Sequence, residues 1–304
     1  MSKRTLAAVV FLLALTPGFA WGCACGCGIF DVGGASMMPD GPGGNVWVEY
    51  DFMNQNRNWN GSSSSSADNN DDKRIRSDFY ILGGQYMFNR SWGVMAQVPY
   101  TDRYFKTTDH NTGNIVGSDH SAFGDVKLQG IYSGFEPDMS TGVTFGLKLP
   151  TGDYSHFDRD TAIGSGSTNL LLGGYHQGRI TKDNRLSWFI NGQLDSAFLT
   201  KSDYRPGDEA DVALGTYYDA GPVGGMGRLS PLLQLLGSYR LRDSGLNADR
   251  DDSGYERLLI SPGMEYDVRS FKFYADVEVP VYQRVNGNQL VAPLLYKFIL
   301  GYSF

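Results

Sequence analysis

Three cysteines close to the start of the sequence have types and spacing suited to chemistry. Cys23, Cys25 and Cys27 form a Cys-Ala-Cys-Gly-Cys run, and the sequence has no other cysteine. In an extended chain alternate side chains point the same way, so the three thiols would share one side. Thiolates bind soft metal ions such as Cu(I) or Zn²⁺, although a fourth ligand is missing from the run. A bound metal is one hypothesis. A disulfide with a spare thiol, or thiols that pair with another protein, are the alternatives.

The four histidines give weaker signals. His110, His120 and His156 fall in or beside predicted loops that also contain aspartates, so solvated loop residues are the preferred interpretation over a surface metal site. His176 falls within a predicted strand, and no compact arrangement of serine, histidine and an orienting partner accompanies it. The sequence therefore predicts no catalytic residue, no enzyme, and no cofactor apart from a metal on the three cysteines.

Apolar residues alternate with polar or small ones through most of the chain, and charged residues fall among the polar positions. Charged side chains are costly in lipid, so a membrane protein must turn them toward water or toward each other. We expect them to line an interior passage for a small solute, and their mixed signs give no clear preference for anions or cations. The alternative is a plug of ion-paired side chains that does not conduct. The predicted passage residues are Glu49, Asp51, Asp125, Lys127, Lys148, Asp195, Arg240, Arg257, Glu265, Lys272, Asp276, Glu278 and Lys297.

The elements that would position these residues are β-strands with two different faces. Phe271 and Phe273 fall on one face of a run, for example, while Lys272 and Asp276 fall on the other. This period of two is that of a strand between an apolar and a polar environment. Twelve such runs cover roughly residues 45–54, 77–88, 92–102, 120–133, 141–149, 167–178, 185–198, 210–219, 230–242, 255–266, 271–283 and 291–304.

The connections between these runs alternate in length. The short ones lie near residues 89–91, 135–140, 181–184, 221–228 and 267–270. The long ones are residues 55–76, 103–119, 151–166, 200–208, 243–254 and 284–289. Up-and-down barrels of the Gram-negative outer membrane have short periplasmic turns and longer extracellular loops. Because unpaired backbone groups are not tolerated in lipid, the sheet must close. The predicted fold class is all-β, an antiparallel up-and-down transmembrane β-barrel of about 12 strands.

The start of the chain predicts export. A basic start, an apolar run at residues 6–15 and small residues after it are typical of a secretory signal peptide over residues 1–22. Residues 23–44 are rich in Cys, Gly and Pro, and either fold into the barrel mouth as a plug or hang free in the periplasm. Residues 45–304 form the predicted barrel, and the terminal aromatic Phe304 resembles the signal read by the outer-membrane insertion machinery.

The composition agrees with this architecture and limits the partners. The 304 residues include 39 Gly, 18 Tyr and 17 Phe, which is typical of antiparallel β structure with many turns. The formal net charge of −7 makes binding to nucleic acid improbable. The expected partners are outer-membrane lipids and a small-molecule solute.

Three segments carry a family resemblance. Residues 142–153 read GVTFGLKLPTGD, residues 163–175 read IGSGSTNLLLGGY, and residues 122–130 read AFGDVKLQG. They resemble the outer-membrane protein family named for the MetA-pathway of phenol degradation. The resemblance covers roughly residues 75–304 and implies a barrel that acts as a transporter, with aromatic or hydrophobic solutes suggested by the family name. It implies no catalytic residue and gives no role to the cysteines.

The sequence thus predicts passive uptake or efflux of a small solute across the outer membrane. The alternative is a structural or partner-binding barrel that contacts a periplasmic protein through its cysteine-rich segment. A pull-down with Cys23, Cys25 and Cys27 changed to Ser separates the two, because lost partners with unchanged permeability favour the alternative.

Overall fold

The computed structural model describes residues 38–39, 41–109, 111–159, 161–225 and 227–304. The predicted signal peptide and the three cysteines lie outside the described residues, so the hypotheses about them stay predictions. No helix in the described part of the chain is long and apolar enough to cross a membrane.

The described residues form sixteen strands and one 3-10 turn, Ala67–Asn69. The strands are β1 (Gly43–Gln55), β2 (Arg57–Gly61), β3 (Ser63–Ser64), β4 (Asp72–Met87), β5 (Trp92–Thr108), β6 (Ile115–Phe123), β7 (Val126–Tyr132), β8 (Thr141–Leu149), β9 (Ser167–Arg179), β10 (Leu186–Thr200), β11 (Glu209–Tyr218), β12 (Pro222–Val223), β13 (Gly227–Arg240), β14 (Tyr255–Val268), β15 (Phe271–Val291) and β16 (Leu295–Ser303).

Twelve of these strands form a closed wall. Neighbours along the chain pair antiparallel in the order β1, β4, β5, β7, β8, β9, β10, β11, β13, β14, β15 and β16, and β16 pairs back onto β1. The remaining strands are short additions at the rims, apart from β6, which precedes β7 and pairs with the far part of β5. Closure gives the wall strands backbone partners on both sides, which a sheet in lipid requires. The predicted twelve-stranded barrel is confirmed.

The alternating pattern separates the two faces of the wall. On β1, Trp47 and Glu49 are 2% and 4% exposed, whereas Val48 between them is 51% exposed. Leu82 on β4 is 61% exposed in the same way. Large apolar side chains on the outer face are stable because they meet hydrocarbon rather than water. The fold therefore has an apolar outer surface and an interior that holds polar and charged side chains together with buried apolar ones.

A row of aromatic side chains marks one edge of the apolar surface. Tyr50, Tyr80, Tyr100 and Phe123 are consecutive partners across β1, β4, β5 and β6. The Tyr50 and Tyr80 rings are 5.3 Å apart, as are those of Tyr100 and Phe123. Amphipathic rings collect at the interface between hydrocarbon and headgroups. The row thus indicates the level at which the strands leave the hydrocarbon.

Three predicted loops are wrong in extent. Residues 284–289 belong to β15, and most of the predicted loop at 103–119 belongs to β5 and β6. Most of the predicted loop at 55–76 belongs to β1, β2, β3 and β4. The connection before β16 is accordingly only residues 292–294, so the alternation of short and long connections fails there. These strand segments extend past the aromatic row, where the outer face also carries polar residues, so their residues no longer alternate apolar with polar. We call the end with the longer connections the loop end, and the end at Gly43 the turn end.

Candidate functional site in the barrel lumen

A first cavity of about 210 Å³ lies inside the barrel near the loop end. Five predicted passage residues line it, together with the apolar side chains of Phe79, Ile81 and Pro99. We call it the loop-end cavity. Its predicted lining residues are Asp125, Lys127, Lys148, Asp195 and Arg240. The cavity therefore combines an apolar wall with a charged one.

A second cavity of about 290 Å³ lies at the turn end. The predicted passage residues Glu265 and Lys272 line it, and their side chains are 3.3 Å apart. Met38 and Pro39, just before β1, line the same cavity, and Met38 packs against the buried cluster that contains Trp47. The described end of the predicted plug segment thus lies at the barrel mouth. Residues before 38 lie outside the described residues.

The two cavities have no lining residue in common. On β9, Asn169 lines the loop-end cavity and Gln177 the turn-end cavity, and on β10 Asp195 and Ser187 do the same. Inner-face residues between these positions form what we call the middle layer. It includes Trp47, Leu171, Phe189, Gln234, Leu236 and Tyr274, all of them buried. A solute that crosses the barrel must pass this layer.

Aromatic rings of the middle layer lie against the wall instead of across the lumen. A Cβ atom at Gly83 on β4 would overlap the indole ring of Trp47 on β1. A Cβ atom at Gly215 on β11 would likewise overlap the ring of Phe189 on β10. Glycine is the one residue without a Cβ, so it lets a neighbouring ring approach the backbone. This packing keeps the two rings close to the barrel wall.

An ion-pair cluster lies beside the middle layer on β1, β15 and β16. Lys297 stands directly across from Asp51 on one side and from Asp276 on the other. Its Nζ atom lies 2.8 Å from Oε1 of Glu49 and 3.5 Å from Oδ1 of Asp51. We call the four carboxylates Glu49, Asp51, Asp276 and Glu278 the acidic cluster. The structure therefore brings five of the predicted passage residues together.

Asp276 is held by neutral donors. Its Oδ2 atom accepts hydrogen bonds from Gln234 Nε2 at 2.8 Å and Ser261 Oγ at 2.9 Å, and from the hydroxyl of Tyr274 at 2.5 Å. These residues lie on β13, β14 and β15, so the network ties three neighbouring strands together. The sequence analysis did not include Gln234 and Tyr274 among the passage residues, because neither is charged. The only signal for such a role was their predicted position on the inner face.

The other predicted passage residues also face inward. Lys148 and Asp195 form an ion pair with Nζ and Oδ2 2.5 Å apart, and Lys127 stands directly across from Lys148. Arg240 pairs with the buried Asp243 at 2.7 Å. The remaining residue, Arg257, lies over the ring of Tyr255 at 3.9 Å. All thirteen side chains are therefore on the inner face. Their role in solute passage stays a proposal.

The loop over residues 150–166 is attached to the loop end of the barrel. Asp125, between β6 and β7, accepts hydrogen bonds from the backbone N–H groups of Gly152 and Ser165 at 3.0 and 2.8 Å. Arg103, which is 2% exposed, donates from Nη1 to the carbonyl oxygens of Thr161 and Ala162. Arg103 was missed as a functional residue because the sequence analysis placed it in a loop. These anchors hold the 150–166 loop against the loop-end cavity.

Two of the candidate histidines meet where this loop packs against β6. The rings of His120 and His156 are stacked with centroids 3.7 Å apart, and His120 Nε2 lies 2.9 Å from Oδ2 of Asp153. Hydrogen bonds from Ser155, with a smaller contribution from His120, lower the pKa of Asp153 to about 2. Within the described residues no three His, Cys, Asp or Glu side chains converge to hold a metal ion. His110 lies outside the described residues.

A closed barrel with an apolar outer face and a charged interior defines the class of protein: an outer-membrane β-barrel. The family model described as "Putative MetA-pathway of phenol degradation" matches residues 55–292, and the chain belongs to this family. The family resemblance seen in the sequence is thereby confirmed.

Two solved structures share the fold. The COG4313 outer membrane channel from Pseudomonas putida F1 superposes with a TM-score of 0.66 at 13% identity, over 90% of this chain and 100% of that one. The β domain of the Bordetella autotransporter BrkA superposes with a TM-score of 0.54 at 12% identity, over 86% of this chain and 100% of the other. At these identities the likeness concerns the fold. No curated protein matches the chain. The barrel resides in the outer membrane of a Gram-negative bacterium.

Proposed function

We propose that the barrel lets a small solute diffuse passively across the outer membrane. The observation that carries this proposal is the pair of cavities in one lumen, one at each end. A barrel with a purely structural role gains nothing from these cavities, because interiors without a ligand to bind are usually packed with few voids. The Pseudomonas putida protein with the same fold is described as an outer membrane channel, which supports the proposal.

The lining favours a small solute with an aromatic or apolar part. Phe79 and Ile81 line the loop-end cavity, and Trp47 and Phe189 lie in the middle layer beyond it. Apolar side chains interleaved with a few polar groups are typical of sites that bind small molecules. The family description points in the same direction. Passage from one cavity to the other requires side chains of the middle layer to move. The proposal assigns no chemical reaction to the barrel.

Liposome swelling with purified, folded barrel tests this function. We expect liposomes that contain the protein to swell in glucose and in phenyl glucoside, while empty liposomes do not. Apolar contacts in the lumen should bring the rate for phenyl glucoside to that for glucose or above it, despite its larger size. A folded barrel that admits neither solute removes the transport function. One that admits glucose alone removes the aromatic preference.

A pair of phenylalanine variants tests whether solutes and ions pass through the lumen. Phe189→Ala shortens an inner-face ring of the middle layer, so we expect faster swelling and a larger single-channel conductance. Phe298→Ala removes a ring that is 47% exposed on the outer face, so conductance should stay unchanged. Equal effects of both substitutions would place the passage elsewhere.

A further inference from the structure

Two carboxylates of the acidic cluster are buried without adequate partners. Asp51 is 2% exposed and Glu278 is 1% exposed. Among the described residues, neither oxygen of Asp51 accepts a hydrogen bond, and Oε2 of Glu278 accepts none. Buried polar atoms nearly always have a hydrogen-bond partner, because losing water without replacement is costly. These three oxygen atoms therefore have no hydrogen bond in place of the water that they lose on burial.

The cluster also carries more negative than positive groups. Glu49, Asp51, Asp276 and Glu278 surround the single ammonium of Lys297, which contacts the first two of them. Arg257 on the neighbouring strand β14 is the next cation, and its guanidinium lies over the Tyr255 ring. Two cations do not balance four carboxylates. When more than two of these carboxyl groups are ionised, the interior at this level has a negative potential.

The cluster lies between the two cavities. Asp51 is in register with Phe79, which lines the loop-end cavity, while Asn45 on the same strand lines the turn-end cavity. On β15, Asp276 and Glu278 follow Lys272, which lines the turn-end cavity. No member of the cluster lines either cavity. A solute that moves from one cavity to the other therefore crosses the level of the acidic cluster.

We infer that the acidic cluster makes the passage selective for small cations, including alkali ions and organic ammonium ions. An ammonium group donates hydrogen bonds to Asp51 and Glu278 as it crosses, in the way that Lys297 donates to Glu49. The described carboxylates do not converge on one point as metal ligands do, so the selection is electrostatic and each cation passes with part of its hydration. This inference rests on the proposed function, because selection requires a passage.

Reversal potentials in planar bilayers test the inference. With purified barrel between unequal KCl solutions, we expect a potential of the sign that K⁺ permeation gives, and about threefold preference for K⁺ over Cl⁻ from a field of this kind. Asp51→Asn/Glu278→Gln neutralises two of the four carboxylates and should bring the permeability ratio toward one. The single substitutions should give intermediate ratios, which covers the case in which the double variant fails to fold.

A charge-matched control separates the lumen from the rest of the molecule. Asp138→Asn/Asp183→Asn removes two exposed carboxylates in turns at the turn end, so the ratio should not change. Folding of every variant is confirmed by its heat-dependent electrophoretic mobility. A wild-type barrel that conducts without preference, or that prefers Cl⁻, overturns the inference and leaves the passage intact. A folded barrel that never conducts overturns both.

Discussion

Trp47 and Gly83 show how single residues set the width of the lumen. Because a Cβ at Gly83 would overlap the indole ring, Gly83→Ala must push Trp47 away from the wall and toward the lumen. We expect a lower single-channel conductance, together with a loss of stability of about 1–3 kcal/mol that is usual for an overpacked site. Conductance in planar bilayers and urea unfolding in lipid vesicles measure the two effects.

The adjacent glycine is a matched control for this substitution. A Cβ at Gly84 points to the outer face, where its nearest neighbour is Val46 Cγ1 at 3.7 Å, an ordinary contact. Gly84→Ala should therefore leave both conductance and stability near their wild-type values. Similar losses for the two variants would mean that strand propensity, not the position of Trp47, determines the result.

At the residue scale, the sequence predicted which side chains face the lumen but not which of them contact each other. Alternation along each strand indicates that Glu49, Asp51 and Lys297 face inward, and the structure agrees. Their pairing was beyond prediction, because Glu49 and Lys297 are 248 positions apart and meet only where β16 closes onto β1. The register between β1 and β16 depends on all the strands of the wall. The sequence of a single strand therefore does not show which residues it meets on its neighbours.

At the scale of elements, the limits of the strands differ most from prediction. Residue alternation identifies a strand only while one face meets lipid and the other meets the lumen. Beyond the aromatic row that includes Tyr80 and Tyr100, β5 continues to Thr108 and pairs with β6. The outer face there carries polar residues such as Asp102 and Lys106, so the sequence resembles a loop. The same reason explains why the far part of β15 was predicted as a connection.

The 150–166 loop depends on one carboxylate for its position. Asp125 accepts hydrogen bonds from Gly152 and from the backbone and hydroxyl of Ser165, and it does so from the wall beside the loop-end cavity. Asp125→Ala leaves these donors without an acceptor, so we expect the loop to detach and the single-channel current to become larger and noisier. Amide hydrogen exchange across residues 150–166 should accelerate by at least about tenfold, which corresponds to the loss of one or two such bonds.

An aspartate that caps a turn at the other end is the control for Asp125. Asp138 accepts a hydrogen bond from the backbone of Ser140 in the connection between β7 and β8, far from the cavity. Asp138→Ala should change local exchange there and leave the current unaltered. Unchanged exchange in the 150–166 loop after Asp125→Ala would show that its other contacts, with Arg103 and His120 among them, are enough to hold it.

The connection between β13 and β14 is expected to respond to pH. Burial, with a contribution from the negative charge of Asp252, raises the pKa of Asp249 to about 6. In an open loop the pKa would be near 3.9, its usual value, so the packed loop binds the proton more tightly. Packing should therefore weaken as the pH rises from about 4 to about 6 and then remain constant.

Amide hydrogen exchange of residues 241–254, corrected for intrinsic rates, measures this effect. We expect stronger protection at pH 5 than at pH 7, and Asp249→Asn should restore protection at pH 7. Asp68→Asn, which changes an exposed aspartate in another connection, should have no influence. If protection of the β13–β14 connection increases with pH instead, its packing does not depend on a protonated Asp249.

At the scale of the whole molecule, the barrel reverses the usual distribution of side chains. Lipid covers the apolar outer face, so hydrophobic burial places little demand on the interior. The interior is free to hold Lys297, the acidic cluster and two cavities, groups that a small soluble core seldom contains. The sequence predicted this reversed distribution from residue alternation and turn signals. Along each strand every second residue faces lipid, and the residues between them face the lumen. The sizes and separation of the cavities depend on packing across the closed wall and were not predictable.

The arrangement also fixes which end of the barrel faces the medium. Because the wall has an even number of strands, β1 begins and β16 ends at the turn end, where the connections are short. The longer connections lie at the loop end. In outer-membrane barrels the longer loops are extracellular. Leu246, which is 90% exposed between β13 and β14, should then lie outside the cell, and Asp183, between β9 and β10, should face the periplasm. In a background with Cys23, Cys25 and Cys27 changed to Ser, a membrane-impermeant maleimide should label Leu246→Cys on intact cells. It should label Asp183→Cys only after the outer membrane is broken, and the reverse pattern would mean that the barrel is inserted the other way round.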